Sequence, residues 1–162
     1  MTISATGGVT GYDDGIKVYN YGSGALSVTT TGTVTGTTDD GIDTLNFGTD
    51  LIISAENVTA ADNAIKAYSR GTGSVSVTAT GTVTGGTDDG ITAYNSSNGT
   101  GLTVSANNVS GGLNAIRTES FGSGPATVTV SGTVTGGSGA GIATESGPGG
   151  TTDIILNSGA KV

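Results

Sequence analysis

Hydrophobic residues recur along the chain with a period of about 25 residues. One valine marks each repeat, at Val9, Val34, Val58, Val83, Val109 and Val134, in steps of 25, 24, 25, 26 and 25 residues. An isoleucine follows each valine after seven or eight residues, at Ile16, Ile42, Ile65, Ile91, Ile116 and Ile142. A fixed period of this length is typical of solenoids, in which each repeat packs only against its neighbours.

Within each repeat the hydrophobic and polar residues alternate, as in Leu26-Ser-Val28 and Val75-Ser-Val77. Alternation that includes β-branched residues predicts strands, and the Gly, Asn and Asp residues between them predict turns and no helix. We therefore predict an all-β fold for residues 1–162. It is a right-handed, three-sheet parallel β-helix (β-solenoid) of about six rungs, the handedness following the usual preference of parallel crossovers. Rungs stacked about 4.8 Å apart would form a rod roughly 30 Å long.

Alternate repeats resemble each other more closely than neighbouring repeats do. The gap from valine to isoleucine alternates between 7 and 8 residues, and segments such as SAENVTAADNAI and SANNVSGGLNAI alternate with TGTVTGTTDDGI and TGTVTGGTDDGI. The repeating unit is thus a pair of rungs. The residue before each valine is glycine or asparagine: Gly8, Gly32, Asn57, Gly81, Asn108 and Gly132. Because these two residue types tolerate a left-handed backbone, we predict a left-handed corner at this column.

Composition narrows the possible partners and chemistry. The chain has 31 Gly, 33% hydrophobic residues, no Cys and no His, and 13 acidic residues against 5 basic ones. So acidic a chain lacks the basic clusters that neutralise phosphates, which argues against nucleic acid as a partner. No apolar run approaches the roughly 20 residues of a membrane span, so we predict no membrane insertion by this segment. Without Cys, disulfides and thiolate metal sites are excluded.

Acidic pairs precede three of the isoleucines: Asp13-Asp14, Asp39-Asp40 and Asp88-Asp89, each followed by glycine. A carboxylate pair could serve a carbohydrate-active enzyme, a polysaccharide hydrolase or lyase. A turn in which Asp caps its own backbone and Gly has a positive φ explains the pattern equally simply. We favour the turn, because the other repeats carry Asp62-Asn63, Leu113-Asn114 and Gly139-Ala140 at this position. A calcium site would need six or more oxygen ligands. We predict no catalytic residue, no metal site and no cofactor, with the enzyme as the alternative.

The residues after each isoleucine form the best candidate for a binding surface. Alternation turns the first and third residues outward, which brings basic and aromatic side chains together: Lys17, Lys66, Arg117, Tyr19, Tyr68 and Tyr94. Exposed tyrosines beside basic residues could stack on sugar rings or contact a protein. Stacked ladders such as Lys17–Asp43–Lys66 and tyrosine over tyrosine would have a structural role only. Both interpretations remain open from the residues alone.

The chain resembles the passenger regions of Gram-negative autotransporters and related surface β-helix proteins. The resemblance rests on the repeated GTVTG followed by DDGI, on the strand openings LSV, VSV and LTV, and on the closing LNSGAKV. It implies a location on the cell surface or in the secreted fraction, outside the outer membrane. The family's signal peptide and C-terminal barrel are not in this sequence, so we expect a fragment of a longer repeat protein.

The function that the resemblance implies is that of an extracellular structural scaffold or stalk rather than an enzyme. Adhesion through one lateral sheet is a further expectation, with a host or matrix glycan or protein as the partner. The two open ends of such a rod present unpaired strand edges, so we also expect end-to-end self-association of this segment.

Overall fold

The computed structural model describes all 162 residues, and β-strands are its only regular secondary structure. Three ladders of parallel strands run along the molecule, one strand of each ladder coming from each repeat. No helix is present that is long and apolar enough to cross a membrane. The predicted all-β parallel solenoid of about six turns is therefore confirmed.

The strands of each ladder have the following bounds. Ladder one contains β1 (Thr2–Thr6), β4 (Leu26–Thr31), β7 (Leu51–Ala55), β10 (Val75–Thr84), β12 (Leu102–Gly111), β14 (Ala126–Val130) and β17 (Thr152–Leu156). Ladder two contains β2 (Val9–Gly11), β5 (Thr33–Gly36), β8 (Asn57–Ala60), the C-terminal parts of β10 and β12, and β15 (Val134–Gly136). Ladder three contains β3 (Ile16–Asn20), β6 (Ile42–Asn46), β9 (Ile65–Ser69), β11 (Ile91–Asn95), β13 (Ile116–Ser120) and β16 (Ile142–Ser146).

Ladders one and two form one continuous sheet in the middle of the molecule. Strands β10 and β12 are ten residues long and run through both ladders without interruption. The strands therefore form two hydrogen-bonded sheets. The sheet of eleven strands contains ladders one and two, and the sheet of six strands is ladder three. A register shift between Ala79 and Thr82 marks the point where ladder one passes into ladder two.

The core consists of columns of like residues stacked from rung to rung. In ladder three Ile91 pairs with Ile65 and with Ile116, and in ladder two Val83 pairs with Val58. All five side chains are fully buried. One cluster of 30 buried residues, almost entirely Ile, Val, Leu and Ala, fills the interior along its length. The narrow, repetitive core that the spacing predicts is thus the one that forms.

The predicted left-handed corner is wrong. Positive φ angles occur only at Gly7, Gly149 and Gly159, and no residue other than glycine has one. The predicted column of Gly8, Gly32, Asn57, Gly81, Asn108 and Gly132 therefore has negative φ throughout, and so do the glycines after the acidic pairs. The glycines after the acidic pairs are needed because a side chain at these positions would overlap a core valine. A Cβ at Gly15 would lie 2.6 Å from Val34 Cγ1, and one at Gly90 would lie 2.6 Å from Val109 Cγ1.

From Gly32 onward, glycine and asparagine alternate before the core valine because they fit together between rungs. Asn108 Oδ1 accepts a hydrogen bond from the backbone N–H of Thr133 at 2.9 Å. The residue stacked above the asparagine side chain is Gly132, where a Cβ would lie 2.5 Å from Asn108 Oδ1. Asn57 makes the same contacts to Thr82 and Gly81. An asparagine in one rung thus requires a glycine in the next, which explains the two-rung repeat at this corner.

Candidate functional site

All six predicted binding residues lie on the outer face of ladder three, which we call the lateral face. Strand β3 carries Lys17 and Tyr19, β9 carries Lys66 and Tyr68, β11 carries Tyr94 and β13 carries Arg117. Ile16, Val18 and Asn20 of β3 are buried, so the residues between them point outward. The same alternation places the other four residues outward on their strands.

The aromatic residues of the lateral face form two clusters. In the first, Tyr21 stacks on Phe47 with ring centroids 5.5 Å apart, and the ring of Tyr19 meets that of Tyr21 edge-on at 6.4 Å. In the second, Tyr68 stacks on Tyr94 at 5.2 Å with an interplanar angle of 14°, and Tyr94 contacts Phe121 at 5.9 Å. Such arrangements stabilise neighbouring rungs beyond the area they bury. The tyrosines of the predicted binding surface therefore fall into two separate clusters.

Leu45 separates the two clusters and leaves a groove between them. It pairs with Tyr19 on one side and with Tyr68 on the other, so the two tyrosines are two rungs apart, about 9.6 Å. The groove has a volume of about 190 Å³. It is lined by Tyr19, Asp43, Thr44, Leu45, Lys66, Tyr68 and Arg70. A smaller depression of about 140 Å³ near Arg117 is lined almost wholly by polar residues.

Most charged groups of the lateral face are already paired within the protein. Lys17 Nζ lies 2.6 Å from Asp14 Oδ2 and 3.4 Å from Asp43 Oδ2, and its hydrogen bond to Asp14 raises the pKa of the ammonium group. The hydroxyl of Tyr19 donates to Asp43 Oδ2 at 2.9 Å, which raises the pKa of Tyr19. The predicted Lys17–Asp43–Lys66 ladder forms only in part, because Lys66 pairs with Asp40.

That ion pair of Lys66 has an Nζ–Oδ2 distance of 3.1 Å. Burial lowers the pKa of the Lys66 ammonium, but the hydrogen bond and charge of Asp40 outweigh it and the net pKa is raised. Arg117 is paired with Glu119 on its own strand. Arg70, by contrast, makes no ion pair and no side-chain hydrogen bond. The groove is thus lined by two cations, Lys66, which is paired, and Arg70, whose guanidinium N–H donors remain free.

Four residues that shape this face are not among the predicted binding residues: Tyr21, Phe47, Arg70 and Phe121. They share one position, five residues after the core isoleucine, just beyond the strand end. The outward alternation continues through this position although the strand has ended. A column drawn at the fifth residue, rather than only at the first and third, would have found them.

The acidic corner binds the next rung rather than its own backbone. Asp40 Oδ1 accepts hydrogen bonds from the backbone N–H and from Nδ2 of Asn63, both at 3.1 Å. Asp89 Oδ1 accepts the same pair of bonds from Asn114, at 3.0 and 2.8 Å. Both aspartates are 1% exposed. The prediction that these residues cap their own turn is therefore wrong, and their role is to join adjacent rungs.

The Asp88-Asp89 pair differs from a pair of free catalytic carboxylates. Asp89 Oδ2 accepts a hydrogen bond from the Thr92 hydroxyl at 2.8 Å, so both of its oxygens are engaged. Burial, followed by the charge of Asp89, raises the pKa of Asp88. Glycoside hydrolysis by two carboxylates needs the second one to act on water or on the sugar. Asp89 could do so only after breaking its bonds to the neighbouring rung.

The fold and this face define a parallel β-solenoid protein with an aromatic lateral groove. Neither protein-family models, nor curated proteins, nor solved structures gave a significant match to the chain.

Proposed function

We propose that this chain is an extracellular structural scaffold of a Gram-negative surface or secreted protein, and that its lateral face binds glycan. The groove between Tyr19 and Tyr68 is the observation that carries the proposal. The resemblance of GTVTG, DDGI and LNSGAKV to autotransporter passenger regions supports the location outside the outer membrane. We propose that the chain acts as a stalk with an adhesive side and not as an enzyme.

The scaffold part of the proposal rests on the continuity of the rungs. Every inner strand of ladder three pairs with a strand on both sides, from β3 to β16, in unbroken register. The core runs without interruption through the same rungs. Because each rung packs against its two neighbours, the scaffold would hold its lateral face in a fixed geometry.

The glycan part of the proposal rests on the composition of the groove. Tyrosine rings present flat apolar surfaces with a polar edge, which suit the faces and hydroxyls of a sugar ring. Arg70 adds a guanidinium with free donors that can bind sugar hydroxyls or a carboxylate. The 9.6 Å between the two tyrosines, about two rung spacings, leaves room for a ring beside Leu45. A host or matrix protein remains the other possible partner.

A glycan array probed with the purified chain tests the proposal. We expect binding to at least one glycan class, and we expect Leu45→Tyr to reduce it at least tenfold, because a ring at position 45 would fill the groove and join the two aromatic clusters. Arg70→Ala and a Tyr68→Ala, Tyr94→Ala double variant should weaken binding as well. Tyr12→Ala is the matched control, since Tyr12 is 83% exposed outside the lateral face.

Two results would contradict the glycan proposal. One is an array on which the wild-type chain retains no glycan. The other is full binding by Leu45→Tyr with an unchanged melting temperature. The scaffold and its location are tested separately by the parent gene, where a signal peptide upstream and amphipathic barrel strands downstream are the expected result.

A further inference from the structure

The column of residues two positions before the core isoleucine contains one step between rungs that differs from all the others. At four steps Oδ1 of one residue accepts a hydrogen bond from the backbone N–H of the residue above it. These bonds join Asp40 to Asn63 (3.1 Å), Asn63 to Asp89 (3.2 Å), Asp89 to Asn114 (3.0 Å) and Asn114 to Ala140 (2.9 Å). At the first step, from Asp14 to Asp40, the bond is missing.

Asp14 Oδ1 has no hydrogen-bond partner at all, although the Asp14 side chain is only 4% exposed. Two bonds that the equivalent aspartates accept are missing here. Asp40 and Asp89 each face an asparagine, whose Nδ2 donates a second bond to them in addition to the backbone N–H. The side chain above Asp14 is the carboxylate of Asp40, which has no donor, and the backbone N–H of Asp40 does not donate to Asp14 Oδ1 either. A buried carboxylate oxygen without a hydrogen-bond donor destabilises the folded chain. A ligand from outside the chain that binds this oxygen would remove the penalty.

Further carboxylates lie close to the Asp14 side chain. One oxygen each from Asp13, Asp14 and Asp39 lie within 4.8 Å of one another, and a second such group joins Asp14 to Asp40 and Asp43. Asp40 and Asp43 already accept bonds from Asn63, Lys66 and Tyr19. The side chains of Asp13 and Asp39 make no hydrogen bond or ion pair.

The carboxylates of this corner are only partly neutralised by cations. The ammonium group of Lys17 neutralises the other side of the cluster, where it binds Asp14 Oδ2. Asp14 Oδ1, Asp13 and Asp39 are the oxygens left without a cation.

We propose that Asp13, Asp14 and Asp39 form a calcium site, anchored by the buried Oδ1 of Asp14. The donors are hard carboxylate oxygens, and water would complete the coordination shell, which suits Ca²⁺. Mg²⁺ demands a near-ideal octahedron, and Zn²⁺ prefers His and Cys, which this chain lacks. The bound ion would join the first rung to the second, as the Asn amides do at other steps. The inference does not depend on the proposed glycan binding.

Terbium luminescence and thermal unfolding test the site on the intact chain. Tb³⁺ replaces Ca²⁺ in oxygen sites, and Tyr19, whose hydroxyl binds Asp43 at the same cluster, is placed to sensitise its emission. We expect sensitised emission that Ca²⁺ displaces. We also expect about 10 mM Ca²⁺ to raise the melting temperature by about 3 °C if the dissociation constant is about 1 mM.

Asp14→Asn should remove both responses. The amide oxygen of the asparagine can take the place of Asp14 Oδ2 and accept the bond from Lys17. Its NH₂ group then takes the place of the unpartnered oxygen and donates to the neighbouring carboxylates. The variant should therefore melt no lower than wild type without calcium. Asp39→Asn is a second variant that breaks no bond within the protein, and it should weaken Tb³⁺ binding about tenfold. Asp153→Asn removes one charge on the exposed part of β17 and should behave as wild type.

Three results would overturn the site. The first is a melting temperature that responds equally to Mg²⁺ or to NaCl of matched ionic strength, which would indicate screening alone. The second is a wild-type chain with no displaceable Tb³⁺ emission. The third is a folded Asp14→Asn or Asp39→Asn variant that keeps the full response.

Discussion

At the scale of single residues, the fit between asparagine and glycine at one corner is the most specific feature of this chain. Asn57 Oδ1 binds the N–H of Thr82 at 2.9 Å and lies where a Cβ of Gly81 would have to be. Glycine is thus required by the side chain beneath it and not by its own backbone angles. The residue type alone could not distinguish these two causes, and only the stacked geometry does.

Gly81→Ala should destabilise the chain by about 1–3 kcal/mol, since the added methyl group overlaps Asn57. The double variant with Asn57→Ala should recover part of this loss, because the overlapping amide is gone. Urea unfolding of the four proteins of the cycle measures the coupling. Gly24→Ala is the control, since its Cβ would meet nothing within 4 Å and should change stability by less than about 0.5 kcal/mol. Additive single effects would contradict the proposed overlap.

At the scale of elements, the register of the strands could be predicted from the sequence, while the joining of ladders could not. Like residues stack in parallel ladders, so the valine and isoleucine periods translate directly into the pairs Val83–Val58 and Ile91–Ile65. The merging of ladders one and two through β10 depends on the path of the backbone at Thr80-Gly81, which periodicity does not specify. Arg70 was left out of the predicted binding residues for a related reason, because it lies beyond the last regular strand position.

We predict that the free energy of unfolding decreases at alkaline pH, because Lys17 and Tyr19 link strands through groups that titrate there. Lys17 ties β3 to the acidic corner, and Tyr19 ties β3 to Asp43 of β6. Their folded-state pKa values are raised above 10.5 and 10.0, respectively. Each group therefore contributes stability that is fully present below its unfolded pKa and is lost as pH rises through the folded one. Urea unfolding from pH 8 to pH 11.5 should show stability falling above about pH 10.

Tyr19→Phe should be less stable than wild type at pH 8 and should lose less of its stability between pH 10 and 11.5. The hydroxyl that donates to Asp43 is absent in this variant, so its share of the pH dependence disappears. Tyr12→Phe provides the comparison, because the Tyr12 hydroxyl makes no hydrogen bond and the side chain is 83% exposed. An identical alkaline slope in Tyr19→Phe and wild type would show that the link to Asp43 contributes nothing.

At the scale of the whole molecule, the two ends of the solenoid complement each other. In β17 the inward residues Ile154 and Leu156 continue the buried columns of Val128 and Val130, yet they are 49% and 50% exposed. Strand β1 presents Ile3 in the same column at the opposite end.

The isolated 162-residue chain should therefore associate end to end as its concentration rises. Light scattering should give an apparent mass above that of the 15.5 kDa monomer. Ile154→Lys should suppress the increase, because a charge in an inward column opposes stacking of the next rung. Ile155→Lys is the matched control: Ile155 is 46% exposed but points outward beside Thr129. Equal suppression by both variants would show lateral contact instead, and a constant monomer mass would show that the ends do not pair.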